Sequence, residues 1–161
     1  MIIKLIIKFL IIILLTSKPS FSNKYIGEII TINDNNFPAE INNKNFIGEK
    51  GDKTAQFNLG LTYHYGYGVQ QDYDEAFKWY SRAAEQGFAS AQFNLGLMYN
   101  NGDGIPKNNI DAYMWFNLAS SNGDNDAKIE INKLNKVLSK LELKKALKLY
   151  ENCMNKNYQN C

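Results

Sequence analysis

The sequence predicts an all-α protein, an α-solenoid of stacked helix-turn-helix repeats closed by a carboxyl-terminal helical cap. Three observations support this prediction. A block of seven residues occurs twice, each copy is followed by glycines and a helix-start signal, and two further helical segments follow the second copy without completing a third unit. Units that recur at a fixed period of a few tens of residues are typical of solenoids, because each buries its apolar face against its neighbours.

The duplicated block, AQFNLGL, occupies residues 55–61 and again residues 91–97, an offset of 36 residues. Downstream, the same offset relates pairs of equal or similar residues. These pairs are Tyr63 and Tyr99, Gly66 and Gly102, Gly68 and Gly104, Val69 and Ile105, Ala76 and Ala112, Trp79 and Trp115, Ala83 and Ala119, and Gly87 and Gly123. They define repeat one at residues 51–87 and repeat two at residues 88–123.

Each repeat is predicted to contain two helices. In repeat one the first helix covers Lys53 to Tyr65, and a glycine-rich segment ends it because glycine tolerates left-handed backbone. Asp72 and Glu75 have the spacing of a capping box, so a second helix is expected to begin there and to continue to Gln86. Equivalent polar residues, Asn108 and Asp111, begin the second helix of repeat two.

Side-chain spacing predicts how the helices pack. On the second helix, small and aromatic residues share one face, and charged residues share the opposite one. The apolar set is Ala76, Trp79, Tyr80 and Ala83. The first helix carries two apolar ridges and is therefore expected to be buried on two sides. Gly60 costs this helix about 1 kcal/mol relative to alanine, which is expected if an aromatic ring packs directly on the backbone there.

Residues 1–22 are predicted to be a signal peptide. Lys4 and Lys8 precede the apolar run at residues 9–15, and Ser20 and Ser22 provide a small-x-small cleavage site. An uncleaved anchor is the alternative, and it is the sole expected contact with a membrane. Cleavage would change the formal net charge from +2 to −1. A near-neutral chain without a basic cluster is not expected to bind nucleic acid.

The segment 23–50 precedes the repeats. Shifting Tyr73 and Gly87 back by 36 positions gives Phe37 and Gly51, so residues 37–50 are interpreted as a possible degenerate second helix from a preceding half-repeat. Residues 23–36 are expected to be extended, with a possible short strand at residues 26–32.

Residues 124–161 are predicted to form the capping helices and tail. Ala127, Ile131, Leu134 and Leu138 continue the first-helix pattern, and Ser139 with Glu142 forms a second capping box. The helix that follows is predicted to use Leu143, Leu147, Tyr150 and Met154 as one side. Repeat two also has an apolar outer stripe, Ile110, Met114 and Leu118, where repeat one is charged. This stripe is either covered by the cap or a docking site.

The repeat pattern resembles the Sel-one-like repeats, relatives of the tetratricopeptide repeats, and in particular their secreted bacterial type. Repeat one matches at Ala55, Leu59, Gly60, Tyr63, Gly66, Gly68, Val69, Ala76, Trp79, Tyr80, Ala83, Ala84 and Gly87. Repeat two matches at Ala91, Leu95, Gly96, Tyr99, Gly102, Gly104, Ala112, Trp115, Ala119 and Gly123, with replacements at Ile105, Phe116 and Ser120. The resemblance implies a protein-protein interaction adaptor or scaffold.

The two cysteines, Cys153 and Cys161, lie within reach of each other if the tail turns back. In an oxidising compartment such a pair is usually bonded, so a disulfide is predicted, together with a periplasmic or secreted location. Two cysteines and a single histidine do not make a zinc site, and neither a metal nor another cofactor is expected.

Some cysteine-rich secreted relatives are described as penicillin-binding or β-lactamase-like, which makes an enzyme the first alternative. Such an enzyme needs S-x-x-K, and no serine in this chain precedes a lysine by three residues. His64 is interpreted as a surface histidine, and capping accounts for Asp72, Asp74 and Glu75. No catalytic residue is therefore predicted. A structural component of an envelope assembly is the second alternative.

A partner-binding groove is predicted on the side of the first helices that carries neither apolar ridge. The residues on that side are Asn58, Thr62, Tyr65, Asn94, Met98 and Asn101. In the related repeats the first helices line the concave face. These side chains are expected to form hydrogen bonds with a peptide or protein partner and to pack on its side chains.

Overall fold

A computed structural model of the chain describes residues 48–161. Within that range the secondary structure is helical, without a strand. The six helices are α1 (Lys53–Tyr65), α2 (Tyr73–Ala84), α3 (Ala89–Asn101), α4 (Asn109–Ser121), α5 (Ala127–Leu134) and α6 (Lys140–Asn155). The predicted signal peptide, the extended segment and most of the predicted half-repeat helix lie outside the described residues.

Helices α1 and α2 form one hairpin and α3 and α4 form the next, and α2 packs on α3, so the fold is the predicted solenoid. At the start of α1 the Asp52 carboxylate accepts a hydrogen bond from the Ala55 amide at 2.7 Å. The helix ends at Gly66, whose φ of +67° is left-handed. Both helix ends thus follow from local sequence, because polar caps and glycine satisfy terminal backbone groups.

At the start of α2, only one of the two hydrogen bonds of the predicted capping box forms. Asp72 accepts a hydrogen bond from the Glu75 amide at 3.0 Å, as expected. The Glu75 carboxylate does not reach back, and instead pairs with the Lys78 ammonium at 3.0 Å. An i,i+3 ion pair on an exposed helix face competes with the reciprocal cap. At the start of α4, Asn108 accepts from the amides of Ile110 and Asp111.

The core lies between the paired helices, as the spacing on the second helices predicts. Ala76, Tyr80 and Ala83 are completely buried, and Trp79 is 3 % exposed. The aromatic ring of Tyr80 covers Gly60 in α1, which confirms the expected contact between a ring and the helix backbone. Small residues on both helices therefore set how closely α1 and α2 approach.

The last residues before repeat one resemble the ends of the second helices. Gly48 and Glu49 are helical, and Gly51 has a φ of +93°, as Gly87 and Gly123 have positive φ at the equivalent positions. The side-chain amide of Gln56 donates to the Gly48 carbonyl at 2.8 Å. One repeat later, the Gln92 amide donates to the Ala84 carbonyl at 3.1 Å. The Gly48 carbonyl is therefore bonded to α1 as the Ala84 carbonyl is to α3, and the half-repeat helix of residues 37–50 stays a prediction.

Helices α5 and α6 both pack on α4 and close the solenoid. The capping box that begins α6 is complete, since Glu142 and Ser139 exchange hydrogen bonds in both directions. Met114 and Leu118 are 2 % and 0 % exposed and share a core cluster with Cys153 of α6. Met114 and Leu118 of the apolar outer stripe are therefore buried, as the interpretation of a covered stripe expects, whereas Ile110 is half-buried.

The buried face of α6 differs from the predicted one. Leu147 and Met154 are 42 % and 38 % exposed, whereas Ala146 and Cys153 are buried. Ala146 brings the backbone of α6 close to the core that surrounds α4. A small side chain permits this approach, and the helix consequently turns Leu147 and Met154 outward.

A disulfide joins Cys153 and Cys161, with their Cα atoms 5.1 Å apart, as predicted. It closes a turn whose Tyr158 ring packs beside Gly87, and whose Tyr158 hydroxyl donates to Asn122 Oδ1 at 3.0 Å. The tail is thereby fixed to the ends of α2 and α4. No helix among residues 48–161 combines the length and apolar character that crossing a bilayer requires.

Candidate functional site

The structure separates the six predicted partner-binding residues into two groups. Tyr65 and Asn101 are exposed, and Asn58 and Asn94 are half-buried. These four are available to a partner.

Thr62 and Met98 are 6 % and 0 % exposed, so the prediction was wrong for both. The Thr62 hydroxyl donates to the Asn58 carbonyl at 2.8 Å, and Met98 lies in the core with Leu95. At about 100° per residue, position 98 lies only about 60° around the helix from Leu95. This angle keeps Met98 within the buried arc.

The surface that remains open on the first helices has a regular spacing. We call it the first-helix strip, and it consists of Thr54, Asn58, Leu61 and Tyr65 on α1 and Ser90, Asn94, Leu97 and Asn101 on α3. All eight side chains are exposed or half-buried. The i, i+4, i+7, i+11 spacing in each helix places them along one face.

The sequence prediction omitted the two leucines of the strip, because their ridge was assigned to the core. Leu61 and Leu97 do contact the core clusters, but only in part. Asn58 and Asn94 likewise occupy equivalent positions, and neither side-chain amide forms a hydrogen bond within the described residues. The first-helix strip therefore offers paired amides beside partly exposed apolar side chains.

An aromatic cluster lies at the carboxyl end of α1. It consists of His64, Tyr65, Tyr67 and Tyr73. The Tyr65 and Tyr67 rings are 5.4 Å apart between centroids, and they are 53 % and 48 % exposed. The His64 ring is 4.7 Å from Tyr65 and 5.2 Å from Tyr73. The cluster continues the first-helix strip at Tyr65 into the loop between α1 and α2.

His64 is not the surface histidine that the sequence suggested. It is partly buried, and within residues 48–161 its Nδ1 atom has no hydrogen-bond partner. Burial lowers the pKa of His64, and the carboxylate of Asp103 opposes this shift in part. The imidazole is therefore neutral at pH 7 and can accept a hydrogen bond through one nitrogen.

The hydroxyl of Tyr80 is also buried without a partner in the described part of the chain. Burial raises the pKa of Tyr80 well above its usual value, and the neighbouring Tyr65 and Tyr67 add to this shift. The Tyr80 ring lies 6.0 Å from the His64 ring, which is itself 4.7 Å from the ring of Tyr65. In repeat two the equivalent residue is Phe116, which packs on Gly96 in the same way without a hydroxyl.

Among residues 48–161, no group of three or more histidine, cysteine or acidic side chains is arranged to hold a metal ion. The carboxylates of Asp72 and Glu75 serve the helix cap and the ion pair with Lys78.

Comparisons with known proteins agree with this geometry. Residues 53–88 and 89–124 each match the Sel1 repeat, so the boundaries of the matches follow the two helical hairpins. Sel1 repeat proteins are generally scaffolds for protein interactions, and the repeat itself is not an enzyme fold. The two matches support the Sel-one-like repeat family suggested by the sequence.

Solved structures that are similar to this chain include the following two. A protective antigen of uropathogenic Escherichia coli strains that displays an SLR fold has 35 % sequence identity and a TM-score of 0.65, over 68 % of this chain and 25 % of that chain. A Sel1 repeat protein from Oxalobacter formigenes has 41 % identity and a TM-score of 0.52, over 53 % of this chain and 35 % of that chain. This chain therefore spans a quarter to about a third of their lengths. No curated protein sequence matches significantly.

Proposed function

We propose that this chain, with two consecutive Sel1 repeats at its centre, is an adaptor that binds a protein or peptide partner on the first-helix strip. The observation that carries the proposal is the repetition of Asn58 as Asn94, two side-chain amides at equivalent positions with no partner in the described structure. An amide has both a donor and an acceptor, so a pair of them can bond to successive polar groups of an extended backbone.

The side chains beside the amides support contact with a polypeptide. Leu61 and Leu97 are partly exposed, and Tyr65 is 53 % exposed at the end of the strip. Tyrosine is enriched in protein interfaces because its ring offers a large contact area and its hydroxyl can bond to polar groups. The first-helix strip thus combines polar groups for orientation with apolar area for affinity.

We place this activity in the periplasm or the secreted space. The Cys153–Cys161 disulfide supports an oxidising compartment, since structural disulfides are rare in the cytosol. The signal peptide predicted for residues 1–22 is consistent with the same location.

The proposal is tested by capture of partners from the native cell envelope with a tagged chain, followed by mass spectrometry. The Asn58→Ala/Asn94→Ala double variant is compared with the wild type and with Asn132→Ala/Asn152→Ala, which changes two exposed asparagines in α5 and α6. We expect the control variant to recover the wild-type partner and the strip variant to lose it, with equal stability of all three chains. Equal recovery by the strip variant would reject the first-helix strip as the binding site.

A further inference from the structure

We infer that the loop end of repeat one recognises a cationic side chain, a guanidinium or an ammonium group, of a bound polypeptide. The exposed Tyr65 and Tyr67 rings would contact the cation and the Asp103 carboxylate would attract it, while His64 Nδ1 and the Tyr80 hydroxyl are buried acceptors behind these rings. Together we call these groups the cation site. This inference deepens the proposed function and rests on it, because the cation would belong to the protein partner.

The exposed part of the cation site is a pair of aromatic rings. Tyr65 and Tyr67 lie 5.4 Å apart between ring centroids at an interplanar angle of 31°. About half of each side chain is exposed, at 53 % and 48 %. The negative face of an aromatic ring attracts a cation placed within about 6 Å of its centroid. Two adjacent tyrosine faces therefore suit a planar guanidinium or a compact ammonium.

Beneath this pair, two buried polar atoms lack partners within residues 48–161. They are His64 Nδ1 and the Tyr80 hydroxyl, on rings whose centroids are 6.0 Å apart. Nearly all buried polar groups in proteins form hydrogen bonds, so two without a partner in one cluster need an explanation. Phe116, the counterpart of Tyr80 in repeat two, packs on Gly96 as Tyr80 packs on Gly60, although it has no hydroxyl. Packing alone does not account for the hydroxyl of Tyr80.

The charges around the cluster favour a cation. Gly104, the neighbour of Asp103, lies directly against Tyr73, whose ring is 5.2 Å from that of His64. The Asp103 carboxylate also raises the pKa of His64 and of Tyr65. Its Oδ2 accepts a hydrogen bond from the Asn101 amide at 3.1 Å, and no lysine or arginine in the described chain forms an ion pair with it. Every group of the cation site can thus act as an acceptor, a negative charge or a π face. Guanidinium and ammonium groups carry donors and no acceptor.

Repeat two does not contain an equivalent site. Asn100, Asn101, Asp103 and Phe116 stand where repeat one has His64, Tyr65, Tyr67 and Tyr80. Asp103 itself is the counterpart of Tyr67, so the acid is supplied by the loop of repeat two and the rings by repeat one. The combination therefore arises from two different repeats and is not a feature that each repeat needs in order to fold.

The inference is tested by NMR titration of the full chain with Nα-acetyl-arginine amide, Nα-acetyl-lysine amide and Nα-acetyl-citrulline amide, observing the tyrosine and His64 ring signals. Citrulline has nearly the shape of arginine but carries no charge. We expect the cationic probes to bind at millimolar concentration, and citrulline to bind at least about fivefold more weakly. The order of arginine and lysine then identifies the preferred head group. Equal binding of citrulline and arginine would overturn the inference.

Variants assign the binding to the named groups. Tyr65→Ala/Tyr67→Ala and Asp103→Asn should each weaken arginine binding at least about threefold, and Tyr80→Phe should weaken it while keeping the ring contact with Gly60. Tyr113→Phe is the matched control, since the Tyr113 hydroxyl bonds to Asn135 at a distant position. Unchanged binding in all three site variants would reject the assignment. Because no protein partner is used, this failure would leave the test of the first-helix strip unaffected.

Discussion

Gly60 of α1 lies directly against the ring of Tyr80 in α2, and one repeat later Gly96 lies against the ring of Phe116 in the same way. A Cβ atom at either glycine would overlap carbon atoms of the ring. Glycine weakens an isolated helix by about 1 kcal/mol relative to alanine. The closeness of the two helices in each hairpin therefore depends on a residue that the helix itself disfavours.

Gly60→Ala is expected to destabilise the protein, although alanine favours helix. The added methyl must displace the completely buried Tyr80 ring, and overpacking a core costs about 1–3 kcal/mol, against a gain of about 1 kcal/mol in helix propensity. We expect a net loss of up to about 2 kcal/mol in the free energy of unfolding, measured with urea. Thr54→Ala on the exposed side of α1 is the control and should change stability by less than about 0.5 kcal/mol. An unchanged or higher stability of Gly60→Ala would show that the ring can move.

Gln92 joins the two repeats through a buried hydrogen-bond pair. Its Nε2 donates to the Ala84 carbonyl at 3.1 Å, and its Oε1 accepts from Asn122 Nδ2 at 2.9 Å. Gln92→Leu keeps the side-chain volume but removes both bonds, and we expect a loss of about 1–3 kcal/mol in the free energy of unfolding. Gln70→Leu, at an exposed loop position, is the matched control and should have little effect. In a double-mutant cycle with Asn122→Ala, the double variant should lose less stability than the sum of the two single variants. Losses that simply add would contradict the hydrogen bond between Gln92 and Asn122.

The pKa of His64 predicts a specific dependence of stability on pH. Burial lowers this pKa in the folded protein, so below about pH 6.5 the unfolded chain binds more protons than the folded one. The free energy of unfolding should therefore decrease as the pH falls through this region. His64→Asn, which introduces the residue found at position 100, should remove this component. Burial raises the pKa of Asp111, so this residue increases the free energy of unfolding as the pH falls further. Both chains contain Asp111, so its contribution cancels when the wild type is compared with His64→Asn.

If urea unfolding of the wild type and of His64→Asn showed parallel pH profiles between about pH 7.5 and 5, the burial of the neutral imidazole would be refuted. His64→Gln is a useful second variant, because it keeps a side chain of similar length in the aromatic cluster. Both variants should give the same flatter profile, since neither side chain titrates in this range.

The repeats could be predicted from the sequence because their signals are local. The recurrence of AQFNLGL, the glycines after α1 and α3, and the caps at Asp72 and Asn108 together determine where helices begin and end. The core face of α2 followed from helical spacing alone. These features depend on neighbours within one or two helical turns, which a sequence displays directly.

Features that depend on the approach of a third element were not predictable in the same way. The position of Met98 in the core depends on packing between repeats, and the rotation of α6 depends on how Ala146 approaches the core around α4. The burial of His64 depends on rings from the following loop and helix. Periodicity indicates which side of a helix is apolar, but the width of the buried arc is set by neighbours distant in sequence.

Substitution by alanine should consequently lower the stability of the fold strongly at Met98 and only slightly at Tyr65. Met98 is completely buried, and truncation of a buried methionine costs about 2–5 kcal/mol because it leaves a cavity. Tyr65 is 53 % exposed, so Tyr65→Ala should change the free energy of unfolding by less than about 1 kcal/mol. We expect only Tyr65→Ala to weaken partner capture while the fold is kept. Thermal unfolding of both variants makes the comparison, and a stable Met98→Ala chain would contradict the assignment of Met98 to the core.

The disulfide should stabilise the tail against the repeats. Cys153 is 2 % exposed and shares the core cluster with Met114 and Leu118, whereas Cys161 is exposed. Cys161→Ser therefore opens the cross-link without creating a cavity. Closing so short a loop is worth about 2–3 kcal/mol in the chain-entropy model, so we expect a loss of up to that size.

The loss should be concentrated where the tail meets the repeats, because the turn closed by the disulfide carries the Tyr158 hydrogen bond to Asn122 and the Gln159 hydrogen bond to the Glu85 carbonyl. Hydrogen exchange should become faster in the last turn of α6 and at Asn122, while the α1–α2 hairpin keeps its protection. A reducing agent should destabilise the wild type to the level of Cys161→Ser and should leave the variant unchanged. If reduction left the wild type as stable as before, the tail would be held by its hydrogen bonds and ring contacts without help from the cross-link.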